Sequence, residues 1–199
     1  EHVWTLQAIW RLAMIMALPT YYTLVLASAF VWPTWRLWRR ERINALVLPR
    51  DDTAEGVIGI WFKGLIASVA AVLALIALGM SPQRLGELAW LNSLPADVVG
   101  WALLMVSLLI ITIAQANMGR AWRIGIDHTS TPILAREGLF RWSRNPIFLG
   151  LRLNLLGLFL ILPNAATLVI WLVGEALMQV QVRLEEEHLA RTFRDIYAD

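Results

Sequence analysis

The chain has 199 residues, of which 58% are hydrophobic and only 16% are charged, and its mean hydropathy is +0.60. A soluble domain carries about 25% charged residues, so much of this surface must face something other than water. The net charge of +2 is too small to indicate nucleic-acid binding. The absence of cysteine excludes disulfides, thiolate metal sites and cysteine nucleophiles.

Apolar segments predict five membrane-spanning helices, because a bilayer core of about 30 Å takes roughly 20 apolar residues in a helix. In chain order they are 12–35, 57–80, 98–117, 146–162 and 165–182. Only Pro163 and Asn164 separate the last two, which should therefore form an antiparallel hairpin. The expected fold class is all-α, an integral membrane bundle with a C-terminal hairpin and a cytoplasmic C-terminal helix.

The chain is expected to be a single membrane domain over 1–199. The first three spans occupy 1–117, and a catalytic loop, the hairpin and the C-terminal helix occupy 118–199. The third-to-fourth loop contains apolar residues among its arginines, which indicates a packed loop. Within it, His128 is either an ordinary solvated histidine, which is the favoured interpretation, or a loop contact or base beside the acceptor. The chain begins at Glu1 without Met, so we expect that it has been trimmed, and no cleavable signal peptide is apparent.

The arginines are unevenly distributed among the connecting segments, and this predicts the orientation. Segments 36–55 and 119–145 carry five arginines each, whereas 81–97 has only Arg84 and the hairpin turn has no charge. Basic loops remain in the cytoplasm. The N-terminus is therefore predicted to lie outside, and the C-terminus and active site in the cytoplasm.

Two charged residues fall inside predicted spans, where a charge costs on the order of 2.5–3.5 kcal/mol on insertion scales. Arg152 is in the fourth span and Glu175 in the middle of the fifth, so the two can pair across the hairpin. Either they form a structural ion pair, or they line a polar cavity reached from the cytoplasm. The polar stripe that continues from Glu175 through Gln179, Arg183 and Glu186 favours the cavity slightly.

Two motifs at hairpin distance carry a family resemblance. The first is EGLFRWSRNPIFLG at 137–150, and the second is RLEEEHL at 183–189. Together they resemble the membrane methyltransferases typified by isoprenylcysteine carboxyl methyltransferases and phosphatidylethanolamine N-methyltransferases, over about residues 118–199. The matching residues are Gly138, Phe140, Arg141, Arg144, Pro146, Phe148, Gly150, Glu185, Glu186, Leu189, Phe193 and Tyr197. The phospholipid pattern adds Asn145, Asn154, Leu156 and Gly157. Asn145, Phe148 and Arg194 depart from the more usual His, Tyr and Gly.

The resemblance implies transfer of a methyl group from S-adenosylmethionine to a lipophilic acceptor, such as a phospholipid amine or a prenyl-linked carboxylate. The implied catalytic residues are Arg144, Asn145 and Glu186. The implied donor-binding residues are Gly138, Phe140, Arg141, Arg144, Asn145, Pro146, Phe148, Gly150, Glu185 and Glu186. The predicted acceptor cavity comprises Arg152, Asn154, Glu175 and Gln179. Membrane lipids are the expected partners, and no metal or nucleic acid is expected.

Two other functions stay open at this point. Sterol- or enone-type membrane reductases that use NADPH look similar in their C-terminal helices, although a second phosphate-binding cluster is not evident. A small membrane scaffold or lipid-binding subunit is the non-enzymatic alternative, and the intramembrane charges argue against it. Two structural interpretations also stay open. Arg141 and Arg144 could serve only to fix the membrane topology, and Glu185–Glu187 could be a solvent-exposed acidic segment of a helix. The sequence leaves the oligomeric state open.

Overall fold

The computed structural model describes residues 2–41, 54–118 and 137–192. Within these ranges the chain forms six α-helices, and they are α1 (His2–Leu26), α2 (Trp32–Glu41), α3 (Ala54–Ala77), α4 (Leu94–Met118), α5 (Pro146–Ile161) and α6 (Ala165–Thr192). A π-helical turn, Ala27–Val31, joins α1 to α2. Short 3-10 turns occur at Pro82–Leu85, Ala89–Leu91 and Gly138–Arg141.

Four stretches of the described chain are long and apolar enough to cross a membrane. They are Ile9–Arg36, Gly56–Ala77, Leu94–Met118 and Ala165–Glu187. The remaining predicted span is α5, which is apolar but has only 16 residues, or about 24 Å of helix. The predicted all-α membrane bundle is confirmed.

The last helix is longer than the hydropathy pattern predicts. Residues 165–182 were expected to form the fifth span and 185–197 a separate cytoplasmic helix, whereas α6 continues without a break to Thr192. No glycine or proline occurs between Val182 and Thr192 to end the helix. As a result, α6 extends well past the start of α5.

Close packing of α4 on α5 depends on small residues. A Cβ atom added at Gly157 would lie 2.8 Å from the backbone oxygen of Gly100, and one added at Gly150 would lie 2.6 Å from Ile111 Cγ1. The face of α5 that carries these two glycines is thus a packing face, as its small side chains predict. The other helices meet through larger side chains, such as Phe159, which stacks on Trp171 across the α5–α6 hairpin at 5.5 Å between ring centroids.

The end of the bundle that carries residues 78–93 and the hairpin turn 162–164 is called the loop end. Backbone hydrogen bonds tie the two segments together, from Leu88 N to Pro163 O at 2.8 Å and from Ala165 N to Gly86 O at 2.9 Å. Arg11 on α1 forms an ion pair with the buried Asp97 of α4, 2.9 Å from Nε to Oδ2, and donates from Nη2 to Asn92 Oδ1 at 2.6 Å. These contacts close the loop end around the start of α4.

Several predicted features lie outside the described residues. These are the arginines at 42, 50, 120, 123 and 136, the packed loop with His128, and the C-terminal aromatic residues Phe193 and Tyr197.

Candidate active site

The opposite end of the bundle, called the motif end, carries residues 137–145 and the last turns of α6. Glu137 is extended, Gly138–Arg141 forms a 3-10 turn, and Asn145 precedes the first residue of α5, Pro146. Proline suits that position, because a helix does not need the amide hydrogen of its first residue. The backbone amide of Asn145 donates to Ser143 Oγ at 3.3 Å, which holds the turn in front of α5.

Gly138 is the one motif residue whose backbone excludes other side chains. Its φ is +60°, in the left-handed region that favours glycine. A Cβ atom there would lie only 2.0 Å from Nδ2 of Asn117, at the end of α4. The motif therefore begins in close contact with α4. Among the described residues, Asn117 Nδ2 is buried and has no hydrogen-bond partner.

The side chains of the first motif differ in exposure. Arg141, Trp142 and Arg144 are exposed, while Phe140 and Asn145 are half-buried. Phe148 points elsewhere, since its ring lies 6.5 Å from that of Phe62 on α3. The exposed arginines and the half-buried Phe140 and Asn145 thus lie in the segment in front of α5, whereas Phe148 packs α5 against α3.

The contact between Arg152 and Glu175 sets the register of the hairpin. Arg152 Nη1 lies 3.4 Å from Glu175 Oε1. Six residues before Arg152 is Pro146, and six after Glu175 is Gln181, so these two lie at about the same level. Glu185 and Glu186 follow Gln181 by four and five residues, or about 6 and 7.5 Å. This carries the second motif past the start of α5, to the level of the first motif.

Glu185 is half-buried and bonded within its own helix. Its Oε1 accepts a hydrogen bond from Gln181 Nε2 at 3.0 Å. Glu186 is also half-buried, whereas Glu187 is exposed. Two partly covered carboxylates therefore lie at the level of two exposed guanidinium groups, an arrangement suited to a ligand that carries both charges.

The residues predicted to line an acceptor cavity do not all share one surface. Arg152 pairs with Glu175, and Glu175 Oε1 accepts a hydrogen bond from Gln179 Nε2 at 3.0 Å. Asn154, in contrast, is buried in the bundle and donates from Nδ2 to Tyr21 OH at 2.8 Å. Tyr21 in turn donates to the backbone oxygen of Leu104 at 2.7 Å. Asn154 therefore joins α5 to α1 and α4, away from the ion pair.

Sequence reasoning missed two polar residues of the motif end, Asn117 and Gln181. Asn117 appeared only as the last residue of a predicted span, and its contact with Gly138 joins positions that are far apart in the sequence. Gln181 did carry a signal, since it precedes Glu185 by four residues on a helix. In the part of the chain that the structure describes, no group of three or more His, Asp or Glu side chains is arranged to hold a metal ion.

Comparison with known families decides the assignment. The family described as PEMT, phospholipid methyltransferase, matches residues 96–196, just over half of the chain. The chain belongs to the phospholipid methyltransferase family. The match begins at the start of α4, so the family likeness extends further toward the N-terminus than the two motifs indicate. Neither the curated proteins nor the solved structures include a significant match.

Membership of the phospholipid methyltransferase family makes this chain an integral membrane methyltransferase of a lipid-modifying family. The reductase alternative is not favoured by this match. The predicted roles of individual site residues remain predictions, because family membership does not assign them.

Proposed function

We propose that the chain transfers a methyl group from S-adenosylmethionine to a lipophilic acceptor at the motif end of the bundle. The acceptor is a phospholipid amine or a related lipid nucleophile such as a prenyl-linked carboxylate. The observation that supports this most is the extension of α6 past the start of α5. It brings Glu185 and Glu186 to the level of Arg144 and Asn145.

The donor's functional groups match the side chains at the motif end. S-adenosylmethionine carries an ammonium, a carboxylate, a flat adenine and a sulfonium that holds the reactive methyl group. Glu185 or Glu186 would hold the ammonium, and Arg144 with Asn145 the carboxylate, by charge-assisted hydrogen bonds. Phe140, half-buried in the turn Gly138–Arg141, offers an apolar surface for the base. The buried, unpartnered amide of Asn117 beneath Gly138 adds a hydrogen-bond donor at the same end.

The chain's own residues contribute by positioning and by excluding water. Methyl transfer to an amine or carboxylate is a displacement in which charge disperses, so it needs alignment of the reactants more than a covalent nucleophile. Arg144, Asn145 and Glu186 are proposed to orient the donor, and Gly138, Arg141, Pro146 and Glu185 to shape its pocket. Phe148 and Gly150 are proposed to act indirectly, by packing α5 against α3 and α4. A phospholipid enters sideways from the bilayer and presents its headgroup at the membrane surface, where the motif end lies.

We also propose that the motif end faces the cytoplasm. S-adenosylmethionine is a water-soluble donor supplied in the cytoplasm, and the motif end carries the exposed Arg141 and Arg144. A cytoplasmic motif end satisfies both conditions. The N-terminus then lies outside, together with the loop end.

A ligand comparison tests the proposal. S-adenosylhomocysteine, the demethylated product, should stabilise the detergent-solubilised protein, because a ligand at 100 times its Kd adds about 2.7 kcal/mol to the free energy of unfolding. The measurement is the shift in Tm with saturating S-adenosylhomocysteine, and NADPH is the control ligand. A shift with NADPH and none with S-adenosylhomocysteine would overturn the assignment of the donor.

A further inference from the structure

The ion pair between Arg152 and Glu175 lies far from both ends of α6, and protein covers it only in part. About a third of each side chain is exposed, 30% for Arg152 and 36% for Glu175. Glu175 is the eleventh residue of the span Ala165–Glu187, so at least about 15 Å of helix separates it from either end of that span. At this depth the surroundings of a membrane protein are acyl chains. A phospholipid headgroup remains at the surface, near the motif end.

The pair's capacity for hydrogen bonding is only partly used. Arg152 Nε is enclosed by this chain, so another molecule can reach only the exposed 30% of the Arg152 side chain. The ion pair is a single contact of 3.4 Å, and Gln179, which donates to Glu175, is itself exposed. Polar groups facing hydrocarbon are costly, and residues of this kind ordinarily face other protein, water or a ligand. A polar partner should therefore cover this surface in the membrane.

We propose that a second copy of this chain covers the pair, with α5 and α6 of the two copies facing each other. A two-fold axis along the membrane normal keeps every residue at its own depth. Because Arg152 and Glu175 touch, they lie at one depth, so each copy can offer its guanidinium to the partner's carboxylate. The surface is thus self-complementary in charge. Leu149 and Leu172, exposed and three residues before each charged residue, would add apolar contacts beside the pair.

Cross-linking of single cysteines tests this interface, since the natural chain has none. Leu172→Cys is on the proposed interface, and Leu109→Cys on α4 is a matched control, with exposures of 54% and 61% for the natural leucines. Air oxidation with copper phenanthroline, which enters the bilayer, should convert most Leu172→Cys protein to a disulfide-linked band of twice the mass and leave Leu109→Cys monomeric. Absence of the Leu172→Cys dimer, or equal cross-linking of both variants, would overturn the proposal.

Charge reversal supplies a second test that also identifies the competing occupant. Arg152→Glu gives a copy with two acidic groups, and Glu175→Arg one with two basic groups. Each alone should lose the Leu172→Cys cross-link, and the two co-expressed with different tags should co-purify as a mixed pair. If the mixed pair fails to form and Arg152→Ala only raises KM for the lipid acceptor, the surface binds acceptor and the dimer is refuted. The cross-linking readout is independent of methyl transfer, so the dimer and the proposed function can fail separately.

Discussion

At the scale of single residues, the motif end places opposite charges on exposed or half-buried side chains. Arg144 is exposed and Glu186 half-buried at the end of a long helix. Arg144→Ala or Glu186→Gln should therefore leave the Tm of the ligand-free protein near that of the wild type. Each should abolish the Tm shift with S-adenosylhomocysteine, because a charge-assisted contact to the donor is lost.

Matched controls separate a site effect from a general effect of charge. Arg84→Ala removes an exposed arginine at the loop end, and Glu187→Gln removes the exposed neighbour of Glu186. Both should retain the ligand-induced shift. Methylation near the wild-type rate in both Arg144→Ala and Glu186→Gln would show that the proposed site residues are wrong.

Gly138 offers a second prediction at this scale, on stability. A non-glycine residue in the left-handed region costs roughly 1–2 kcal/mol, and at Gly138 the added Cβ also meets the Asn117 amide. Gly138→Ala should lower the Tm more than Gly79→Ala, because Gly79 has φ +84° but no atom within 4 Å of an added Cβ. Asn117→Ala should restore part of the loss in the double variant. Equal losses at Gly138 and Gly79 would show that the Asn117 contact is unimportant.

From the sequence, the charged residues of the motif end can be identified, but the contacts around them cannot. The arginines and glutamates were recognised because the two motifs around the hairpin resemble the pattern of a known family. The contact of Gly138 with Asn117 was not, because it joins residues on either side of 119–136. The burial of Asn154 against Tyr21 was also missed, since the position of α1 beside α5 leaves no local pattern in the sequence.

At the scale of helices, the contact of α4 with α5 predicts a difference between two glycines. At Gly157 an added Cβ would lie 2.8 Å from the backbone oxygen of Gly100, which moves only if α4 moves. At Gly174 it would lie 2.2 Å from Leu155 Cδ1, the flexible end of a side chain. Overpacking costs about 1–3 kcal/mol where the surroundings cannot yield, while alanine gains up to about 1 kcal/mol of helix propensity.

Gly157→Ala should therefore lower the Tm in detergent clearly, and Gly174→Ala should change it little. Gly64→Ala is the neutral reference, because no atom lies within 4 Å of an added Cβ there. A larger loss for Gly174→Ala than for Gly157→Ala would mean that α4 and α5 can separate more easily than their backbone contact indicates.

Helix positions follow from hydropathy, but helix ends do not. The spans were predicted to within a few residues because the bilayer demands continuous apolar segments. The fifth span was predicted to end where the sequence changes from apolar to polar. A helix can continue through such a change when no glycine or proline ends it. For the same reason, the π-helical turn Ala27–Val31 was not anticipated within an apolar stretch. The length of α6 proved important, because it brings the second motif to the first.

At the scale of the whole molecule, the two ends are built differently. The loop end is tied by backbone hydrogen bonds and by the Arg11–Asp97 ion pair. The motif end presents exposed arginines and a helix that extends past its neighbour. An end tied by its own backbone hydrogen bonds and an end whose described arginines are exposed suit a protein that binds a charged soluble ligand on one side of the membrane.

This asymmetry makes the orientation testable with single cysteines on the cysteine-free background. Trp142 at the motif end and Trp90 at the loop end are 90% and 78% exposed, so cysteine at either position should react readily. Asn164 is a poor choice, because it is buried and its side chain is hydrogen-bonded to Leu162 and Thr167. An impermeant maleimide should label Trp90→Cys only from outside sealed vesicles of cellular orientation, and Trp142→Cys only after permeabilisation or in inverted vesicles. The opposite pattern would place the motif end outside, where S-adenosylmethionine is not supplied, and would contradict both the arginine distribution and the proposed donor.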